Sequence, residues 1–344
     1  MQEQDLATAV NKVVGAWMQA TPPDQRSRDI NNPAPLSTQL ASLVEQELVA
    51  AGFNLQAARS VVLNAPYFHL KQVFMADDLP DTPVDFLPMS DADGSVAGRA
   101  AVLAVHGFLR KETISYGTEN DGALFVNLVP MDREGKYGEK SKGSMRGHTD
   151  AVSFPFNGEL DAIDPRIAPS PDLVTLVGLR NPDSVATTVM ALADVLHKLS
   201  PSDIAELKKD QYSIVSQFTF IEGMKEILGD VHTAIDEPVL KDAPDGTMVR
   251  YSHSSVTPTD PEGVAKNASD NLEKACNEVV VPVVVEPGDI LVVSNRLCLH
   301  GRGLVGGAAG GQARWLLRTY ALDTSTLDNS RRHLGERPAH VLYP

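Results

Sequence analysis

Two short apolar runs late in the sequence, residues 279–285 and 290–294, are joined by Glu286-Pro-Gly-Asp289. Pro presets φ, Gly accepts positive φ, and Asp bonds its own backbone, so this tetrapeptide is a tight turn and the flanking runs read as strands. A loop with six glycines, from Gly301 to Gly311, then leads into an alternating segment, 313–322, which reads as a further strand. A C-terminal part with this texture builds a β core, and the rest of the protein has to cover it.

The N-terminal third looks helical. Ser37 can cap a helix running to about Ala51, with Leu40, Leu43, Val44 and Leu48 on one face and Gly52 as the stop, and a second helix covers 55–63. Residues 101–107 and 123–129 are short apolar runs that read as strands, and 131–145, polar and rich in Lys and Gly, reads as a loop. Residues 184–199 have helical spacing. Ser200-Pro201 opens another helix, and Asp260-Pro-Glu262 opens one ending near Cys276. No repeat or linker interrupts the sequence. We expect one domain, 1–344, with a mainly helical part, 1–99, packed on a β-rich part, 100–344.

The 344 residues, 42% hydrophobic, supply an ample core without staples. A net charge of -15 argues against nucleic acid or an anionic membrane as the main partner and says little about small substrates, because a local cationic pocket can override the global field. The two cysteines, Cys276 and Cys298, form neither a disulfide framework nor a zinc pattern, and Cys298 reads as core filling. The N-terminus carries Glu3 and Asp5 and no secretory pattern, so a cytoplasmic location is the default expectation. Nothing in the sequence sets an oligomeric state.

Three pieces of sequence carry chemistry. In Gly147-His148-Thr149-Asp150, strand spacing would send His148 and Asp150 to one face. An imidazole beside a carboxylate supplies two ligands of a 2-His-1-carboxylate facial triad, although a surface pair has the same spelling. Next, Asn295-Arg-Leu-Cys-Leu-His300-Gly-Arg302 ends an apolar strand and brings a second histidine to a glycine-rich loop. Finally, in Arg314-Trp-Leu-Leu-Arg318 the residues Arg314, Leu316 and Arg318 share one face, and Trp315, Leu317 and Thr319 the other. If the arginine face is solvent it needs no explanation; if it is interior, each guanidinium needs a carboxylate. His106, His197 and His253 have no comparable pattern and read as structural.

The order His-x-Asp, distal His, then Arg fourteen residues on resembles the clavaminate synthase-like branch of the Fe(II)/2-oxoglutarate oxygenases, related to the taurine dioxygenase-like enzymes, over about residues 123–322. The resemblance implies an α+β fold with a double-stranded β-helix (jelly roll) core wrapped by helices. It implies Fe(II) held by His148, Asp150 and His300, with 2-oxoglutarate as co-substrate and O2 as oxidant. Arg314 would bind the C5 carboxylate of 2-oxoglutarate, supported by Thr188, with Thr187 close behind. Arg318 resembles the arginine that meets the α-carboxylate of an amino-acid substrate. The stretch 156–172 is long for the pattern.

The implied reaction is hydroxylation of an unactivated carbon–hydrogen bond in the side group of a free L-amino acid, a basic one such as lysine favoured, with release of succinate and CO2. Asp150 favours oxygen transfer, since related halogenases carry a small residue there. Desaturation or ring closure of an amino-acid-derived metabolite, or a jelly roll that binds without turnover, are the alternatives. Loops 111–120 and 131–145 are candidate lids, and Glu119, Asp121 or Glu222 are candidates to meet a cationic substrate group.

Overall fold

The structure, a computed structural model, describes residues 1–244 and 246–344. Four helices open it: α1 (Glu3–Ala20), α2 (Pro23–Asn31), α3 (Pro33–Ala50) and α4 (Leu55–Leu63). Strand β1 (Tyr67–Leu70) and helix α5 (Asp93–Phe108) lead to β2 (Glu112–Tyr116), β3 (Val126–Leu128), α6 (Lys136–Lys142) and β4 (Met145–His148). Then come β5 (Leu173–Arg180), β6 (Ala186–Ala191), α7 (Leu192–Lys198), α8 (Pro201–Leu207), β7 (Tyr212–Val215) and α9 (Phe218–Leu228). Strands β8 (Thr233–Glu237), β9 (Leu240–Ala243), β10 (Gly246–Val249) and β11 (Val256–Pro258) precede α10 (Val264–Glu278). The last elements are β12 (Val281–Val284), β13 (Ile290–Ser294), β14 (Cys298–Arg302), β15 (Trp315–Leu322) and β16 (Val341–Leu342).

Local chemistry explains most boundaries. Pro33 sits in the first turn of α3, where a missing N–H is harmless, so the helix begins a turn before Ser37. Asn54 caps α4 by accepting from Ala57 N at 2.9 Å, and a capping box at Ser200 starts α8. Three segments differ from their sequence reading. Residues 101–107 lie inside α5, a helix buried on all sides, so no apolar stripe separates it from a buried strand. That helix also runs across the expected boundary at residue 99. Residues 184–199 split into β6 and α7, because Thr187, Thr188 and Val189 lie in a central strand paired on both edges. The polar segment 131–145 contains the short helix α6.

Two sheets matter for function. The larger runs β1-β13-β5-β15-β2-β16, with β3 beside β15; the smaller runs β12-β6-β14-β4. Leu176, Leu291, Val293 and Leu316 from the larger sheet and Val189, Val283 and Cys298 from the smaller make one buried cluster. Each large apolar side group fully buried this way contributes about 1.5–3 kcal/mol. On the outer face of β15, Trp315 and Leu317 pack with α1, α3 and α5. The alternation of β15 therefore turns Leu316, and with it Arg318, toward the space between the sheets. Buried Asn127 accepts from Trp315 Nε1 at 2.9 Å, a packing role.

The Glu286-Pro-Gly-Asp289 turn leads from the smaller sheet to the larger, because β12 and β13 belong to different sheets. Gly288 takes φ +89° there, and the Asp289 carboxylate accepts from the backbone N–H of Glu286 and Gln72. Among the described residues no helix is long and apolar enough to cross a membrane.

Candidate metal centre and anion pocket

His300 lies mid-strand in β14 and pairs across the sheet with His148, the last residue of β4; their ring centroids are 4.4 Å apart. The approach of the two strands depends on Gly301. A Cβ there would sit 2.4 Å from the Met145 carbonyl oxygen, so only glycine lets β4 bulge against β14. Strand β4 ends at His148, and Asp150 stands on the following turn. The turn returns the carboxylate to the histidines because two amide side groups clamp it. Asn295 Oδ1 accepts from Asp150 N at 2.8 Å, and Asn295 Nδ2 donates to the Asp150 and Pro171 carbonyls. Gln217 Nε2 donates to the Thr149 carbonyl, and Gln217 Oε1 accepts from Ala151 N. Asn295 opens the second motif, whereas nothing in the sequence around Gln217 marks it.

One ligand atom from each of His148, Asp150 and His300 lies within 4.8 Å of the other two, and all three residues are buried. His148 Nδ1 donates to the Arg146 carbonyl at 2.9 Å, which leaves the Nε2 lone pair facing Asp150 Oδ1 at 3.5 Å. His300 Nε2 lies 3.9 Å from Asp150 Oδ2. Burial, helped by the neighbouring His148, pushes the His300 imidazole down to about 3, so the ring is neutral. Burial opposes charge on Asp150, but contact with His148 and the proximity of His300 and Arg318 outweigh it and hold the carboxyl far below its usual range. Asp150 Oδ2 and His300 Nδ1 are buried without a hydrogen-bond partner. Two imidazoles and one under-satisfied carboxylate are the donor set of a facial Fe(II) site, and a cation between them would satisfy that oxygen.

Beside this cluster the pocket floor is cationic. Arg314, immediately before β15, is 4% exposed; its Nε has no acceptor, and no described carboxylate pairs with it. Burial and the charge of Arg302 lower its guanidinium to about 9, and burial lowers Arg302 to about 10. Arg318 is differently placed. Its Nη2 lies 2.7 Å from Glu119 Oε1 and its Nη1 3.7 Å from Asp150 Oδ2. Of the two threonines, Thr187 lines the pocket and Thr188 does not. Thr187 opposes Arg302 in the β6–β14 register, on the face of His300. Thr188 opposes Gly301, with its Oγ1 on the far side of the sheet. One step along a strand turns a side group to the opposite face, so Thr188, expected beside the anion, points away from the cavity that Thr187 lines.

Residues 166–320 match the family described as taurine catabolism dioxygenase TauD, TfdA family. That stretch is somewhat less than half of the protein. The protein is 23% identical over 227 residues to an L-lysine 3-hydroxylase from Catenulispora acidiphila, a match covering 64% of this protein and 58% of that one. It is 24% identical over 224 residues to an enduracididine beta-hydroxylase from Streptomyces hygroscopicus, covering 60% and 62%. The match thus spans less than two thirds of either relative. Among solved structures, an asparagine oxygenase in complex with Fe(II), 3-hydroxyasparagine and succinate superposes with a TM-score of 0.75 at 20% identity, covering 99% of this protein and 98% of that one. The non-heme iron oxygenase OrfP in complex with Fe gives 0.73 at 20%, covering 98% and 97%. At these identities the likeness is one of fold.

The triad and the arginines line one cavity of about 360 Å³. Helix α6 forms part of its wall, with Tyr137 against Phe218 at 4.6 Å and against Phe86 at 5.8 Å. Of the two candidate lid segments, 131–145 contributes most to the lining, and 111–120 contributes only Asn120. Ser252, His253 and Ser254 form another edge, where His253 Nδ1 meets Glu273 Oε2 at 2.5 Å; His253 thus borders the cavity, unlike the structural role read for it. His106, in contrast, is buried between Thr113 and Thr175. Glu119 is buried on Arg318, while Asp121 and Glu222 are exposed. Cys298 lies in the inter-sheet core, where burial pushes its thiol up to about 12.

Proposed function

We propose that this protein is an Fe(II)- and 2-oxoglutarate-dependent dioxygenase that hydroxylates an unactivated carbon–hydrogen bond in the side group of a free L-amino acid, a basic one such as lysine favoured. The balance is substrate, 2-oxoglutarate and O2 to hydroxylated substrate, succinate and CO2. His148, Asp150 and His300 hold the metal, Arg314 and Thr187 take the C5 carboxylate of 2-oxoglutarate, and Arg318 receives the α-carboxylate of the substrate. We read the two facing sheets as the walls of a double-stranded β-helix, and residues 1–344 as one catalytic unit.

One observation carries this reading: a buried guanidinium without a counter-ion among the described residues, Arg314, opens into the same cavity as a buried His–Asp–His cluster. A cation left unpaired in a dry interior is expensive, and a site that tolerates one is built for an incoming anion. A planar guanidinium grips a carboxylate through two parallel hydrogen bonds, and a threonine hydroxyl can add a third. Bound Fe(II) supplies the oxidative chemistry, activating O2 at the expense of the 2-oxo acid. The protein's own residues do the rest. The clamped turn fixes the Asp150 carboxylate, the Arg146 carbonyl fixes the His148 tautomer, and the aromatic edge of Phe86, Tyr137 and Phe218 excludes water. The names of the two curated relatives support a basic amino acid.

A second reading, a substrate with a neutral polar end, is favoured by the wall. Apart from Asp150, the described lining residues include no carboxylate, and they offer the neutral polar groups of Asn120, Ser252 and Ser254. The test of both is mass spectrometry of anaerobically loaded enzyme exposed to O2 with 2-oxoglutarate and each amino acid in turn. One added oxygen on lysine or arginine supports the first reading; the same mass on asparagine or glutamine alone supports the second. Succinate release that no free amino acid stimulates would overturn the substrate class.

A further inference from the structure

Arg302 is the second guanidinium of the pocket, and the hydrogen bonds it makes lie elsewhere. It ends β14, two residues after His300 and on the same strand face, so its guanidinium arm also borders the cavity. Its Nη2 donates to the carbonyls of Lys140 at 2.6 Å and Gly143 at 2.7 Å. These carbonyls belong to the last turn and the C-cap of α6, the end at which unpaired helix carbonyls accumulate and a cation is favoured. The loop after Arg302 continues the attachment, since Val305 N and Gly306 N both donate to the Lys142 carbonyl. The other end of the guanidinium is unfinished: Arg302 Nε is buried without an acceptor, as is Arg314 Nε, and no described carboxylate pairs with either. Two like charges thus share one pocket, one of them tied to the helix that walls it.

We propose that Arg302 is a positioning residue that couples the arrival of the co-substrate carboxylate to the docking of α6 over the cavity. Without an anion, repulsion from Arg314 pushes the Arg302 guanidinium away from the pocket and loosens its hold on the α6 carbonyls. With a carboxylate on Arg314, that repulsion is offset, Arg302 settles on Lys140 and Gly143, and Tyr137 is brought against Phe218 and Phe86. The co-substrate therefore orders the wall that shields it. This inference rests on the assignment of Arg314 to the 2-oxoglutarate carboxylate.

Amide hydrogen exchange of the full-length protein, loaded with Mn(II) under anaerobic conditions, tests it without turnover. In the natural protein, saturating 2-oxoglutarate should slow exchange across residues 136–143. In Arg302→Ala and in Arg302→Lys, calorimetry should still detect 2-oxoglutarate binding, weakened by about tenfold or less, because Arg314 remains. The ligand-induced slowing at 136–143 should be absent in Arg302→Ala. It should be much reduced in Arg302→Lys, which keeps the charge and overall packing but cannot span both carbonyls. A purely structural role for Arg302 would accelerate exchange equally with and without ligand, which overturns the proposal. Equal ligand-induced slowing in the natural protein and both variants also overturns it. Absence of any 2-oxoglutarate binding by the natural protein would instead bring down the assignment of Arg314 on which the proposal stands.

Discussion

Replacing Arg314 should separate stability from binding, and the structure sets the sign of each. Arg314 is 4% exposed and has no described counter-ion, and burial together with Arg302 brings its guanidinium down to about 9. A folded-state value below the unfolded one means that the charged form is disfavoured by folding. The penalty is fully present at pH 7 and is relieved only as pH rises through the folded value toward the unfolded one. At about 1.4 kcal/mol per unit, that penalty is on the order of a few kcal/mol. Arg314→Met keeps most of the stem volume and removes the charge, so the ligand-free variant should melt at or above the temperature of the natural protein. Binding should move the other way. Losing one member of a buried, hydrogen-bonded charge pair costs about 3–5 kcal/mol, which is roughly two orders of magnitude or more in 2-oxoglutarate affinity. At a ligand concentration about 100 times the natural dissociation constant, the natural protein gains about 2.7 kcal/mol, and a variant weakened a hundredfold gains about 0.4 kcal/mol. Thermal denaturation with Mn(II), with and without 2-oxoglutarate, reads both effects in one experiment. A ligand-dependent rise in Tm that survives Arg314→Met would refute the reasoning.

Three further outcomes follow from the same geometry. His300→Ala should reduce Mn(II) affinity by orders of magnitude in anaerobic calorimetry, since the cluster loses one of three donors; unchanged affinity removes His300 from the metal site. Thr187→Val should raise the KM for 2-oxoglutarate severalfold, while Thr188→Val should not, and the reverse pattern would return the assignment to Thr188. Asn295→Ala leaves the Asp150 N–H and two buried carbonyls unpaired, at about 1–3 kcal/mol for each group left unsatisfied, and frees the Asp150 turn. Both Tm and Mn(II) affinity should fall, and a lowered Tm with natural metal affinity would make Asn295 a folding residue only.

What can be read from sequence follows a physical division. The C-terminal strands announce themselves because period-2 alternation and turn chemistry are local, and β13 and α4 fall on the expected residues. The metal-cluster residues are legible because ligand chemistry restricts residue type, although the mechanism of their meeting differs. Asp150 reaches the histidines from a turn clamped by Asn295 and Gln217, and those partners are distant in sequence. Helix α5 is illegible because a helix buried on all sides has no amphipathic signature. Thr187 and Thr188 are neighbours of equal chemistry, and only the register of β6 against β14 separates them. Arg318 shows the same limit. Its inward face is readable from alternation, but its partner Glu119 comes from a segment whose burial no local pattern encodes.

The distribution of counter-ions gives the pocket an order of events. The arginines bordering the cavity are not equivalent, because Arg318 already stands between Glu119 and Asp150 and Arg146 meets Glu273, while Arg302 and Arg314 meet no described carboxylate. A dianion such as 2-oxoglutarate gains most where the cation is unpaired, at Arg314, and at Arg318 it would have to compete with two fixed carboxylates. A zwitterion meets the opposite situation. Its carboxylate can share Arg318, whose charge Glu119 and Asp150 already offset, so its ammonium meets little net repulsion there, whereas at Arg314 that ammonium would face an unpaired cation. Arg302, Arg314 and Arg318 therefore sort the two ligands by charge type before any shape is read. The protein as a whole has a net charge of -15, so this sorting is done by the pocket against the field of the surface around it. On the proposed reading the co-substrate takes the unpaired site and brings α6 into place, and the amino acid then enters a cavity whose remaining charges are already balanced.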